Sequence, residues 1–263
     1  MEKIKTALEG FILGDWLGTP HRGKGKGTFK SLRMKYYLKG NKCSGNTSML
    51  LCALDCHGNL ETYRQNLKAW YHQKKYTGGS FEYDMDPLTQ KAIMTNFRSI
   101  SLDANSGSRG LAACCVLALS DMTQDEIKAF MKSTHNSRYT FPYARFFVEF
   151  VRCLQKQADK KQALDEAERI CEIRINRQNT SNGNFIIDTV ESVVNWFMAG
   201  ESYTDCVFSA VNGGKASDIV GALTGFLAGM QYGINLKSRM DDFDAVRPYI
   251  DAFIGEQKCI SPE

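Results

Sequence analysis

Apolar residues recur along this chain with the three-to-four-residue spacing of helices that bury one face. No stretch alternates apolar and polar residues as a half-buried strand would, and the sequence contains only five prolines. The pattern therefore predicts an all-helical protein. The predicted helices are the face formed by Ile4, Ala7, Leu8, Phe11 and Ile12, and the segments Leu67–Trp70, Leu111–Leu119, Gln124–Met131, Tyr143–Leu154, Ile186–Met198 and Ile219–Tyr232.

The last of these predicted helices is unusually rich in small residues. They lie at Gly221, Ala222, Gly225, Ala228 and Gly229. Each glycine costs roughly 1 kcal/mol relative to alanine inside a helix, so such a run predicts that a second helix approaches closely. No internal repeat or linker interrupts the chain, and we expect one domain over residues 1–263.

Composition excludes several classes of protein. The 33 Lys and Arg residues against 29 Asp and Glu leave a net charge of +4, which is too small to indicate nucleic-acid or membrane binding. No apolar run reaches the roughly 18 residues of a membrane span, and the N-terminus lacks a secretory pattern. Nine cysteines, an odd and scattered set, indicate reduced thiols. We expect a cytoplasmic protein.

Six segments, in order, resemble motifs of the ADP-ribosylglycohydrolase family. They are Gly14–Pro20, Cys43–Leu50, Phe81–Ala92, Ser106–Leu119, the pair Thr134–His135, and Asp188–Asn212. They lead into the turn Gly214–Ile219, which is similar to the Gly-Gly-Asp-Thr-Asp-Thr turn of that family. The resemblance implies an all-α, single-domain orthogonal helical bundle of the ADP-ribosylglycohydrolase type.

The resemblance also implies two divalent cations, which in the family orient ADP-ribose while its N- or O-glycosidic bond is cleaved. Gly45 and Asn46 stand where the family has two aspartates, and Ala216 and Ile219 replace a further aspartate and a threonine. Of these metal-ligand positions only Asp218 keeps a carboxylate, and Ser44 could offer a hydroxyl. Because one carboxylate cannot hold two mutually repelling divalent cations, we expect no magnesium centre and no other cofactor.

Three cations stand where the resemblance places an acid or a glycine: Arg22, Arg109 and Lys215. If they point into the cleft, they supply positive charge in place of the metals and could bind a diphosphate. Alternatively, these long side chains leave the cleft and lie in solvent.

The acidic candidates also have two interpretations each. Asp218 is either a surviving ligand contact or the N-terminal cap of the following helix. Asp15, inside the Gly14–Pro20 motif, is either a cap or a catalytic group. The resemblance places Asp84 on the substrate side of the cleft, whereas Asp86 replaces a glycine and is interpreted as a turn residue.

These considerations define one set of ligand-binding candidates and leave the catalytic and metal-ligand sets empty. The candidates are Asp15, Arg22, Asn46, Thr47, Asp84, Ser108, Arg109, Lys215, Ser217 and Asp218.

The sequence therefore favours a catalytically inactive relative of these hydrolases. We expect it to bind a protein partner, in an inhibitor, immunity or anti-defence role, or an ADP-ribose-like nucleotide. The alternative is a divergent hydrolase that cleaves a glycosidic bond of ADP-ribose without the binuclear metal centre, using Asp84, Asp15 or Asp218.

Overall fold

The computed structural model describes residues 1–30, 43–78, 84–98, 100–157, 159–234 and 244–260. Within these ranges the chain forms twelve α-helices and no strand, which confirms the predicted all-α class. None of the described helices is long and apolar enough to cross a membrane.

The helices are numbered here in chain order. They are α1 (Glu2–Gly18), α2 (Gly45–Leu54), α3 (Leu60–Gln73), α4 (Pro87–Met94), α5 (Leu111–Leu119), α6 (Gln124–Thr134), α7 (Thr140–Lys156), α8 (Lys160–Cys171), α9 (Ile186–Ala199), α10 (Tyr203–Asn212), α11 (Ser217–Tyr232) and α12 (Arg247–Ile260). Short 3-10 turns cover Thr19–His21 and Asp103–Asn105.

Each predicted segment falls within a helix, and α5 has the predicted bounds. Five of the described helices are not among those predicted: α2, α4, α8, α10 and α12. The reason is plainest for α8, because its sequence is mostly charged and its buried stripe is short, at Ala163, Leu164 and Ala167. Helix α8 instead begins at the side chain of Asp159, which accepts hydrogen bonds from the first-turn amides.

One apolar core runs through the molecule, and every helix contributes to it. Two helices lie deepest, α1 from Ala7 onward and α11 from Ser217 to Met230, where every residue is buried. Helix α5 is also buried along its whole length. The prediction of a single domain over residues 1–263 stays a prediction, although the described core is continuous.

Helices α1 and α11 pack antiparallel with their backbones in contact. A methyl group at Gly10 would overlap the carbonyl oxygen of Gly225, one at Gly14 would overlap Gly221, and one at Gly18 would overlap Ser217. These contacts repeat at every fourth residue, the spacing of one helix face. The small residues of α11 therefore serve the close approach that the sequence predicted.

This packing predicts that Gly14→Ala is strongly destabilising. Alanine is the better helix former by about 1 kcal/mol, but its methyl group would collide with backbone that cannot rotate away. We expect a net loss of at least about 2 kcal/mol in the free energy of unfolding, measured by urea denaturation. Gly25→Ala is the control, since nothing lies within 4 Å of a methyl group there. Equal stability of the two variants would contradict the interface.

Candidate functional site

A cleft of about 590 Å³ opens where the N-terminal end of α11 meets the loops around Arg22, Asp84 and Ser108. Its lining residues are Arg22, Gly23, Asp84, Asp86, Pro87, Gly107, Ser108, Arg109, His135, Asn182, Gly183, Asn184, Lys215, Asp218 and Ile219. The cleft borders three cations and three carboxylates, so its formal charges balance.

Two arginines and two aspartates alternate at the base of this cleft. Arg22 Nη1 lies 2.7 Å from Asp84 Oδ2 and 3.1 Å from Asp218 Oδ2. Arg109 Nη2 lies 3.4 Å from Asp84 Oδ1 and 3.4 Å from the same oxygen of Asp218. Each guanidinium therefore bridges both carboxylates. The interpretation that these arginines leave the cleft for solvent is wrong.

Arg109 is held in place by the backbone around it. Its Nη1 donates to the Asp84 carbonyl oxygen at 2.9 Å, and the Gly45 amide donates to Asp84 Oδ2 at 3.1 Å. A side chain at Gly45 would overlap both the Asp84 carbonyl oxygen and Arg109 Nη1. The arginine thus occupies the space that any side chain at position 45 would need.

Asp15 lies behind this pair and is fully buried. Its carboxylate accepts hydrogen bonds from the hydroxyls of Ser44 and Thr47 and from Asn46 Nδ2, the last at 3.0 Å. The same Asn46 nitrogen lies 3.2 Å from Asp218 Oδ2. Asn46 therefore links the buried carboxylate to the one in the cleft, with its own Oδ1 buried and unpartnered.

The environments of Asp15 and Asp84 push their pKa values in opposite directions. Burial raises the pKa of Asp15 to about 6, and the nearby charge of Asp218 adds to the rise against the three side-chain hydrogen bonds. Burial would also raise the pKa of Asp84, but Arg109, Arg22 and the Gly45 amide outweigh it and lower that pKa. The side chain of Asp84 is therefore a carboxylate held by these groups.

Lys215 reaches the cleft from an exposed turn. The residue has a φ of 52°, and its amide donates to the Lys24 carbonyl oxygen at 2.8 Å. The Gly23 amide donates back to the Lys215 carbonyl oxygen at 2.7 Å. No acid forms an ion pair with Lys215 within the described residues. The loop that carries Arg22 and the turn that carries Lys215 are thus tied together.

The structure divides the predicted ligand-binding residues into two groups. Those that line the cleft are Arg22, Asp84, Ser108, Arg109, Lys215 and Asp218. Those that lie behind it are Asp15, Asn46, Thr47 and Ser217, all buried. Ser217 donates to the Gly18 carbonyl oxygen at 2.9 Å and so faces α1. Of the segment Phe81–Ala92, residues 81–83 lie outside the described ranges.

Two interpretations of the acidic residues are corrected. Asp218 lies inside the first turn of α11 and makes no capping hydrogen bond there, because its carboxylate faces the arginines. Asp86 is the N-cap of α4, accepting from the amides of Leu88 and Thr89. Its second neighbour is His135 Nε2, at 3.6 Å.

Sequence reasoning did not find the far wall of the cleft, Asn182–Asn184. Asn182 has a φ of 50°, donates to the Ala210 carbonyl oxygen at 2.7 Å, and accepts from Trp196 Nε1 at 2.9 Å. Its carbonyl oxygen also accepts from the Ala216 amide. The polar, glycine-containing run between α8 and α9 was the available signal, since asparagine tolerates left-handed backbone.

The family of this chain follows from the match of a family model for ADP-ribosylglycohydrolases over residues 1–243. This chain belongs to the ADP-ribosylglycohydrolase family. A solved structure described as an ADP-ribosylglycohydrolase-related protein complex shares the fold, with a TM-score of 0.75 and 22% identity over 96% of this chain and 95% of that one.

Two curated relatives are also similar. The ADP-ribosylarginine hydrolase Tri1 of Serratia proteamaculans (strain 568) is 20% identical over 98% of this chain and 77% of its own length. The ADP-ribosyl-[dinitrogen reductase] glycohydrolase of Rhodospirillum rubrum is 35% identical over 51 residues, which are 19% of this chain and 17% of that protein. The local match thus spans less than a fifth of the Rhodospirillum protein.

The buried position of Asp15 predicts a pH dependence of stability. Because the folded pKa of about 6 exceeds the unfolded value of about 3.9, the folded state binds more protons between them. The wild type should therefore lose stability as pH rises through this window, whereas Asp15→Asn should not. We expect the wild-type free energy of unfolding to fall by about 2 kcal/mol relative to the variant between pH 4.5 and 7.5.

Urea denaturation across that range measures this difference. Ser44→Ala removes one hydrogen bond that lowers the pKa of Asp15, so it should move the window to higher pH. A difference between wild type and Asp15→Asn that stays constant with pH would refute the assignment.

Proposed function

We propose that this family member is a catalytically inactive binding protein. Its cleft takes an ADP-ribose-like nucleotide without a metal, and the molecule acts through a protein partner as an inhibitor, immunity or anti-defence protein. The observation that carries the proposal is the pairing of Arg22 and Arg109 with both Asp84 and Asp218.

The donor set in the cleft does not fit a pair of divalent cations. Magnesium takes oxygen ligands in near-octahedral geometry, but the oxygens of Asp84 and Asp218 accept from guanidinium groups. Asn46 presents its Nδ2 donor to Asp218, and Gly45 brings no side chain. Within the described ranges, no three His, Cys, Asp or Glu side chains are grouped as metal ligands.

Neither of the two site aspartates whose pKa is shifted suits proton transfer in the cleft. A general acid for glycosidic cleavage needs a pKa near the working pH and access to the leaving group. Asp84 has access, but its pKa is lowered. Asp15 has a raised pKa, but Ser44, Asn46 and Thr47 enclose it away from the cleft. The two requirements fall on different residues.

Binding of a nucleotide is supported by what remains of the site. A volume of about 590 Å³ lies in the range of small-molecule pockets. Arg22 and Lys215 stand at its open side, and the side chain of Arg22 is 39% exposed against 17% for Arg109. Arg22 can therefore turn from carboxylate to diphosphate, while Arg109 stays in place as the fixed counter-ion.

A divergent, metal-independent hydrolase is the second candidate. The observation in its favour is that the carboxylate of Asp84 remains 27% exposed inside an open cleft. Tri1 is named as a hydrolase of ADP-ribosylarginine, so that substrate class is the one to test. A cytoplasmic location stays a prediction; the eight cysteines whose side chains the structure describes are all free, as reduced thiols would be.

The first prediction from this proposal is an absence of turnover. The purified protein should release no ADP-ribose from ADP-ribosylated arginine or serine substrates in the presence of magnesium or manganese, with Tri1 as the positive control on arginine. Labelled substrate and chromatography measure the release. Millimolar magnesium should also leave the thermal midpoint unchanged, because we expect no cation to bind. A cation present at a hundred times its Kd would stabilise the folded state by about 2.7 kcal/mol and raise the midpoint.

Turnover comparable to that of Tri1 would overturn the inactive assignment. Turnover that persists with chelator and is lost in Asp84→Asn would establish the second candidate instead.

The second prediction is metal-free binding of ADP-ribose. Isothermal titration with chelator present should show binding that weakens as salt rises, because exposed charges are screened. Lys215→Glu should lower the affinity about tenfold, the equivalent of about 1.4 kcal/mol. Lys3→Glu makes the same charge change at the exposed N-terminal end of α1, outside the cleft, and should have no effect on the affinity. If the wild type does not bind ADP-ribose, or if both variants bind it equally well, the cleft is not a nucleotide site and its charged residues have only a structural role.

A further inference from the structure

Three large apolar side chains are exposed close together in the sequence, at the end of α4 and just after it. Met94 is 75% exposed, Ile100 is 73% exposed and Leu102 is 46% exposed. In the described part of the chain only two other large apolar residues, Met1 and Phe185, are classed as exposed. Ile100 and Leu102 line the same groove and so form a small exposed apolar surface, and contiguous apolar patches on folded proteins mark interaction sites.

A small groove lies between this segment and α4. Its volume is about 120 Å³, enough for one aliphatic side chain. Leu88 and Ala92 of α4 form one wall, and Ile100 and Leu102 form the other. We call this the α4 groove. It shares no lining residue with the nucleotide cleft.

The rim of the α4 groove is positively charged. Lys91 and Arg98 line it, and neither forms an ion pair within the described residues. The acid nearest to Arg98 along the chain, Asp103, is paired with Arg138 at 2.9 Å. Behind the rim, Lys68 Nζ donates to Asn96 Oδ1 at 3.0 Å and adds a further cation. An apolar groove with uncompensated cations on its rim fits an apolar side chain flanked by acids.

The turn beside the groove is fixed in shape. Asn96 and Phe97 have φ values of 51° and 59°, which non-glycine residues seldom adopt in succession. The Phe97 amide donates to the Ala92 carbonyl oxygen at 2.6 Å. Arg64 and Lys68 lie 5.5 Å and 5.6 Å from the Phe97 ring centre. A surface already fixed in shape loses less conformational entropy when a partner binds.

We propose that the α4 groove is the docking site for an acidic segment of a protein partner, which inserts one apolar side chain between α4 and Ile100. Its acidic residues pair with Lys91 and Arg98. The inference deepens the proposed function by locating the partner surface, but it does not need the nucleotide cleft to be occupied.

The test uses the full-length protein and a random peptide display library, followed by fluorescence polarisation with the selected peptides. We expect enriched peptides to carry Asp or Glu around a Leu, Ile, Met or Phe. Their affinity should fall at least tenfold in Ile100→Asp and in Arg98→Glu. Lys3→Glu is the charge-matched control, and Lys215→Glu tests the cleft; both should bind the peptides as the wild type does.

Three outcomes would overturn the proposal. They are the absence of enriched peptides, enriched peptides that bind Ile100→Asp and Arg98→Glu as tightly as wild type, and loss of binding in Lys215→Glu alone, which would place the peptides in the cleft. Co-sedimentation with phosphatidylserine vesicles is a separate arm. Vesicle binding that Arg98→Glu abolishes, without any selected peptide, would assign the surface to membranes instead. Failure of ADP-ribose to bind the wild type would leave the groove result unaffected.

Discussion

The close approach of α1 and α11 is the constraint on which the site depends. Because glycines let the two backbones touch, Asp15 on α1 and Asp218 at the start of α11 come within reach of a single amide group, at 3.0 and 3.2 Å from Asn46 Nδ2. Two carboxylates held this close repel each other, and burial strengthens the repulsion. This repulsion is relieved by a proton on Asp15, whose pKa it helps to raise, and by positive charge beside Asp218.

In this chain the positive charge comes from two arginine side chains, which are part of the protein. Arg22 and Arg109 each reach both Asp84 and Asp218, so they also tie the loop before α4 to the start of α11. A metal ion would be exchanged with solvent and could be removed by a chelator, whereas a guanidinium cannot leave. Two carboxylates of the cleft are thus engaged by guanidinium groups, and the proposed function, binding without turnover, rests on this pairing.

Much of this could be predicted from the sequence, for reasons that differ between elements. Helices α5 and α11 could be predicted because their composition is extreme. Arg109 and Asp218 could be predicted because each stands in a motif, and Arg22 because it closely follows one. The fit of Arg109 over Gly45 could not be predicted, because it joins residues 64 positions apart through one contact. Asn182 was missed because its role depends on a backbone conformation, and α8 because a charged helix with a narrow buried stripe has little apolar periodicity.

The space shared by Gly45 and Arg109 also bears on how this protein can evolve. A carboxylate introduced at position 45 would first collide with the guanidinium and with the backbone of Asp84, while loss of the arginine alone would leave two aspartates without their fixed counter-ion. Replacing Arg109 as well would not by itself make room, because the Asp84 carbonyl oxygen lies even closer to a Cβ at position 45 than the guanidinium does. Positions 45, 84 and 109 are therefore coupled, and a side chain at position 45 would require the backbone at Asp84 and the arginine to shift together.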